Sequence, residues 1–372
     1  GTATDALNFS ASTGTITLAS LSGAGKTTFG AAATITGGVS VGVVTVAGAL
    51  TSAITGGTVN AGSLAGNVSA GTVTVTNLIT GDVTGGTVNA GSLAGNVSAG
   101  AVTLSGLLTG NVLAGAGTVS AGSMTGDVGS SVTVSGLLTG AITLGTNALG
   151  SLSSTSVTGG TNTITGAATV TTVNGGTTTV GGVANITTLT TGTINLNGAS
   201  GSIGTMAAGT LNLNGAAATV GTLSAGTINL AASTALTVDS GTFSGSLAGS
   251  GSLIKATSGI LTLTGANASF TGSTTINAGE LIIQNAGSLG TSAITVASGA
   301  ILDLGGLSIS NAITATPDRI RNGPTAASPA VVAALSGTNS INTVLTGTTG
   351  LAKDGSGELS LTTPNFFTGA VT

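Results

Sequence analysis

The chain has no cysteine, histidine, tryptophan or tyrosine among its 372 residues. Without Cys and His the usual ligand sets for zinc are missing, and so is the base on which serine and cysteine nucleophiles rely. A chain free of cysteine tolerates oxidising export but does not specify it. Charge is scarce as well. Five basic residues (Lys26, Lys255, Arg319, Arg321, Lys353) stand against nine acids, for a net −4. No basic stripe exists for nucleic acid. Between Asp127 and Asp239 no side chain is charged, so nothing electrostatic keeps neighbouring copies apart there. Long apolar runs are also missing, because Thr, Ser, Asn or Gly interrupts them every few positions; no membrane span is predicted. Yet mean hydropathy is +0.60, far from the polar, highly charged composition of disordered chains.

What the chain has is glycine, 66 residues of it, and repetition. "GGTVNAGSLAGNVSAG" stands at residues 56–71 and again, letter for letter, at 85–100, with a related copy at 117–131. Between them lie "TVTVTNLITG", "AVTLSGLLTG" and "SVTVSGLLTG", so this region repeats at about thirty residues. Further on, related units begin at Val170, Ile186, Ile203 and Val220, spaced 16, 17 and 17 residues apart. Each alternates with period two, as a strand with one buried face does. Thr178, Ile194, Leu211 and Ile228 are expected to form one inward column, and Val180, Leu196, Leu213 and Leu230 a second. Outward columns are Thr177, Thr193, Thr210 and Thr227, next to Thr179, Asn195, Asn212 and Asn229.

Units of this length leave no room for a crossover helix. They fit coils of an all-β fold, a single-stranded parallel β-helix or β-solenoid, expected to be right-handed. At ~18 residues and ~4.8 Å per coil, roughly twenty coils are expected. The domain reading is degenerate coils of 16–20 residues over 1–245 and a more regular block over 246–315. A Pro- and Arg-containing insertion follows at 316–335, then a truncated second block at 336–372. Within the insertion, Ser328-Pro329 before an Ala/Val/Leu run reads as the N-cap and first turn of a short helix; the plainer reading is a connector.

The C-terminal third carries a more specific pattern. Lys255, Gly259, Leu261, Leu263, Gly265, Asn267, Phe270, Thr271, Gly272, Gly279 and Leu281 stand at the spacing of the passenger-associated (autotransporter-associated β-strand) repeat. Lys353, Gly357, Leu359, Leu361, Asn365, Phe367, Thr368 and Gly369 give a second copy. The chain therefore resembles a bacterial autotransporter or adhesin passenger. That resemblance implies a secreted or surface-displayed protein, exported through the outer-membrane machinery, whose repeats assist export and folding and carry no catalytic residue. Because Gly1 is not a start Met and the second copy stops at Thr372, a processed or longer parent chain is expected.

Four chemical readings compete with a purely structural one. "LSGAGKTTFG" at residues 21–30 holds the Gly-Lys-Thr of a phosphate-binding loop, but Ser20 stands where its first Gly belongs and no helix pattern follows. Lys26 is expected to be a rim charge. Glu280 and Asp303 lie about one coil apart, as the paired carboxylates of a polysaccharide-cleaving β-helix would. They are read as being on opposite parity and solvated, with no aromatic platform beside them. Calcium-binding Gly-Gly-x-Gly-x-Asp repeats are missing. The outward Thr and Asn columns suit an ice- or glycan-binding face, though β-branched residues favour strands in any case.

The expectation is a non-enzymatic extracellular structural protein: an adhesin, stalk or fibre subunit. It has no catalytic, cofactor-binding or metal-ligating residue. Its partners are itself, through end-to-end or lateral assembly, or a neighbouring cell surface, and neither nucleotide nor nucleic acid.

Overall fold

The computed structural model describes residues 6–304 apart from Ser22, Ala199, Ala216 and Ser298, then residues 307, 309 and 311 and short strands between 313 and 367. Every strand pairing among the described residues is parallel, and none of these residues is helical. The strands stack as the coils of a β-solenoid. Two compact units divide the chain. One comprises Gly1–Val170 with Gly176–Thr178, the other Thr171–Gly175 with Thr179–Thr372.

In the first unit one coil can be followed from Thr58. The strand Thr58–Ala65 turns Val59, Ala61 and Leu64 inward, with Gly62 breaking the alternation between the last two. Gly66 and Asn67 then make a corner, and Val68 points inward from a third side. Besides a column through Ala61, Val75 and Ala90, three inward columns result, running through Val59, Val73 and Val88, through Leu64, Ile79 and Leu93, and through Val68, Val83 and Val97. The nine side chains of these last three columns are essentially inaccessible. At Gly66, with φ of 151°, a Cβ would lie 1.9 Å from the carbonyl oxygen of Ser52. Only glycine allows the coil below to come so near.

These coils are shorter than the expected 16–20 residues. Val43 pairs with Thr58, Thr58 with Thr72, Thr72 with Thr87 and Thr87 with Ala101, offsets of 15, 14, 15 and 14. The difference is one corner residue. Ala47 and Gly48 separate Val46 from Ala49, whereas Gly62 alone separates Ala61 from Ser63, and the register shifts at these points. The thirty-residue sequence period is therefore two coils.

The second unit has the longer register read from the sequence. Thr193, Thr210 and Thr227 stack at 17-residue intervals, as do Leu196, Leu213 and Leu230. Val180, Ile194, Leu196, Leu211, Leu213, Ile228 and Leu230 are buried, and Thr178 in the first unit is buried too. Thr193, Thr210 and Thr227 lie outward beside Asn195, Asn212 and Asn229. Coils widen further on, with Leu253 opposite Thr274 and Glu280 opposite Ile301, both offsets of 21. In the insertion, Val331–Ala333 is a strand paired with Ala352–Asp354 and not the first turn of a helix. Its β-branched valines suit a pleated surface. Ser328 and Pro329 lie outside the described residues.

Replacing Leu211 with Asp will put a carboxylate in a column closed above and below by Ile228 and Ile194. The lost side chain alone is worth about 2–5 kcal/mol, before the cost of burying charge. Denaturant unfolding will show a sharply lower midpoint for Leu211→Asp, and an unchanged midpoint would disprove the inward assignment.

Candidate functional site

Lys26 opens the strand Lys26–Phe29, which pairs with Ala6–Phe9 on one side and Val43–Thr51 on the other. A strand has no cluster of free N-terminal amides, so the cradle that a phosphate loop aims at its ligand is not built here. The Lys26 side chain is exposed, Thr27 is buried, and Phe29 stacks on Phe9 with ring centroids 5.3 Å apart. Among the described residues no group of three or more His, Cys, Asp or Glu side chains could hold a metal ion.

The carboxylate pair departs from the sequence reading in two respects. Glu280 is in register with Ile301 and Ile282 with Asp303. The two acids therefore project from the same side of the sheet, displaced diagonally. Each alternates with inward leucines, Leu281 and Leu302, so both are outward in parity; the neighbouring leucines misled the sequence reading. Nor are they solvated, for Glu280 is 9% and Asp303 2% exposed. On the next strand the register position beside Asp303 is Arg321.

The residues of the passenger-repeat pattern hold coils together. Lys255 occupies an inward position between Val238 and Ile276 and is fully buried. Its Nζ donates to the carbonyl of Thr257 and, at 3.3 Å, to that of Ala278 on the following coil. Burial pushes its pKa below the ordinary 10.5, and the nearby negative charge of Asp239 partly offsets this. Asn267 spans three coils: its Oδ1 accepts from the Leu247 amide at 2.8 Å and its Nδ2 donates to the Ser288 carbonyl at 2.6 Å. Ser288 Oγ donates in turn to the carbonyls of Gly265 and Leu263. Phe270 is wholly buried beside this staple. At Gly272 a Cβ would fall 1.7 Å from the Gly251 carbonyl oxygen. Lys255 and Asn267 thus satisfy backbone groups of neighbouring coils, as buried polar groups require, and Gly272 permits the close approach of one coil to the next.

Polar columns recur elsewhere. In the second unit Asn195 donates to Thr179 Oγ1 at 3.1 Å, and Asn212 to Asn195 and Asn229 to Asn212, both at 2.7 Å. In the first unit Asn147 and Asn162 sit inside the core, where earlier coils place valine. The Asn147 carboxamide accepts from the Val132 amide and donates to Asn162 at 2.7 Å, and Asn162 donates to Thr178 Oγ1.

A corner column runs through Asn67, Asp82, Asn96, Asn111 and Asp127. Each side-chain oxygen accepts the backbone amide of the next member, at 2.7–2.9 Å, and that of Asp127 accepts from Ala141. The sequence reading did not single out this column or the internal asparagines. Their signals are present: Gly-Asx-Val recurs at 66, 81, 95, 110 and 126, and Thr-Asn replaces Thr-Val at 146 and 161.

The passenger-associated-transport-repeat family model matches residues 253–283 and again 351–372. Comparison with curated proteins and with solved structures finds no match.

Two outcomes follow from these columns. Asn212→Ala removes one donor and one acceptor from a ladder at the surface, and urea unfolding will report a loss of about 1–2 kcal/mol. For Lys255 the folded pKa lies below the unfolded one, so between the two values the unfolded chain binds more protons and stability rises with pH. Compared with Lys255→Met, the unmodified chain will gain stability as pH climbs toward 10.5. Parallel pH curves for the two proteins would contradict the burial of this amine.

Proposed function

We propose that this chain is a section of an exported passenger, a non-enzymatic β-solenoid that serves as stalk or fibre material on a bacterial surface. The observation that carries this reading is the double match to the passenger-associated transport repeat, at 253–283 and 351–372. The roles of Lys255 and Asn267 support it, since each hydrogen-bonds one coil to the next. So does the near absence of ionisable groups from the exposed faces of the first unit, where reactive chemistry would have to reside. In this reading the partners are other copies of the chain or a neighbouring cell surface, reached after export across the outer membrane.

A second reading, a face that binds ice or glycan, draws support from one observation. The hydroxyls of Thr72, Thr74, Thr87 and Thr103 project from one side of three successive coils, and those of Thr161 and Thr163 from the same side four coils further on. Among the described residues none of these hydroxyls forms a hydrogen bond within the chain. The second unit counts against it, because its asparagine amides satisfy one another.

The test is location. The parent protein, carrying an epitope tag in an exposed corner, is expected to be labelled by antibody on intact cells and to be cut by added protease. Retention inside cells whose outer-membrane export is intact would overturn the proposal. Lys26→Ala is expected to leave surface display unchanged.

A further inference from the structure

The outward side chains on the second side of the first unit's coils alternate in a way the fold does not require. At one register position stand Leu78, Leu107 and Leu137, with Ser92 and Ser123 on the coils between them. Leu78 pairs with Ser92, and Leu107 with Ser123. The Leu107 amide donates to Ser92 Oγ, and Met124 pairs with Leu138, which continues the same register. The three leucines are 39%, 38% and 45% exposed. Single exposed leucines need no explanation. Three in one column, at every second coil, make a surface with ridges about 10 Å apart and serine-floored gaps between them. The core is filled by other columns, and strand propensity does not call for Leu on alternate coils.

We infer that this corrugated face docks on the same face of a second copy, antiparallel, with leucine ridges seated in serine gaps. A two-fold axis lying in the interface, perpendicular to the stacking direction, sets Leu107 against Ser92 of the other copy, Leu78 against Ser123 and Leu137 against Ser63. Isologous contact of this kind closes on itself. An in-phase arrangement would set Leu against Leu and leave the gaps empty, losing close packing.

Charge does not oppose the contact: the acids of this unit nearest to the face, Asp82 and Asp127, are held in the corner column and not on the face. The face is about 30 Å tall and 10 Å wide, a few hundred Å2, against the ~800 Å2 per partner of a stable interface. The pairing is accordingly weak and suited to molecules held at high local concentration. This inference gives the lateral contact for the structural reading above, but its test uses purified protein and is independent of where the protein resides in the cell.

Sedimentation of the purified chain over rising concentration is expected to show reversible self-association. The triple variant Leu78→Ser, Leu107→Ser, Leu137→Ser is expected to associate at least about tenfold more weakly, with an unchanged far-UV spectrum. Because the chain lacks cysteine, phase can be read directly. A mixture of Ser123→Cys and Leu78→Cys proteins is expected to form the mixed disulfide dimer faster than either protein forms its own. Equal association of parent and triple variant, a parent that stays monomeric at the highest concentration reached, or faster homodimer disulfides would each overturn the inference. Capture of a glycan by this face without self-association would do so too.

Discussion

The parallel backbone ladder is the constraint on which everything else in this molecule rests. Each coil hydrogen-bonds to the coil above and below in fixed register, so a residue at one position meets its counterpart one coil away, about 4.8 Å distant. Side chains must therefore tolerate stacking on near copies of themselves. Valine and leucine do so inside, threonine outside, and asparagine wherever its amide can donate in one direction and accept in the other. A column of Lys, Arg or Glu would place like charges side by side. The low charge content of the chain is a consequence of its architecture.

Within that frame several of the buried polar groups are linkers between coils. Asn147 and Asn162 bring hydrogen-bonding groups into the core only as consecutive members of one chain of bonds ending at Thr178. Asn267 joins Leu247 to Ser288 across coils longer than those of the first unit. Longer coils have wider corners, and wider corners leave backbone groups that need partners. The passenger-repeat residues supply them. Lys255 does the same with a cation, its ammonium facing two turn carbonyls.

Much of this was legible in the sequence. Period-two alternation over Thr210–Leu213 and Thr227–Leu230 identified inward and outward columns residue by residue, because tandem units repeat at constant length and alternation forces the choice. Coil length in the first unit was misjudged for a physical reason. Two coils that differ by one corner residue look like a single thirty-residue unit, and glycine-rich corners carry no hydrophobic signal to mark the division. The parity of Glu280 and Asp303 was also misread, since their relation depends on a pairing offset of 21 that the sequence alone does not display. Their burial was hidden as well. Exposure of an outward residue depends on what covers it, and alternation says nothing about that.

The corner column has one more consequence, concerning how acid is distributed along a stack. Asn and Asp interchange there because the only requirement is an oxygen that accepts the next backbone amide. Asp82 and Asp127 are three coils apart, about 14 Å, well beyond the ~8 Å screening length of physiological salt. At that separation the two carboxylates scarcely sense each other. Asp on every coil would instead form a line of charge at a spacing inside the screening length. The stack can thus acquire negative charge, and with it solubility, by diluting Asp among Asn at intervals set by the ionic strength of the medium.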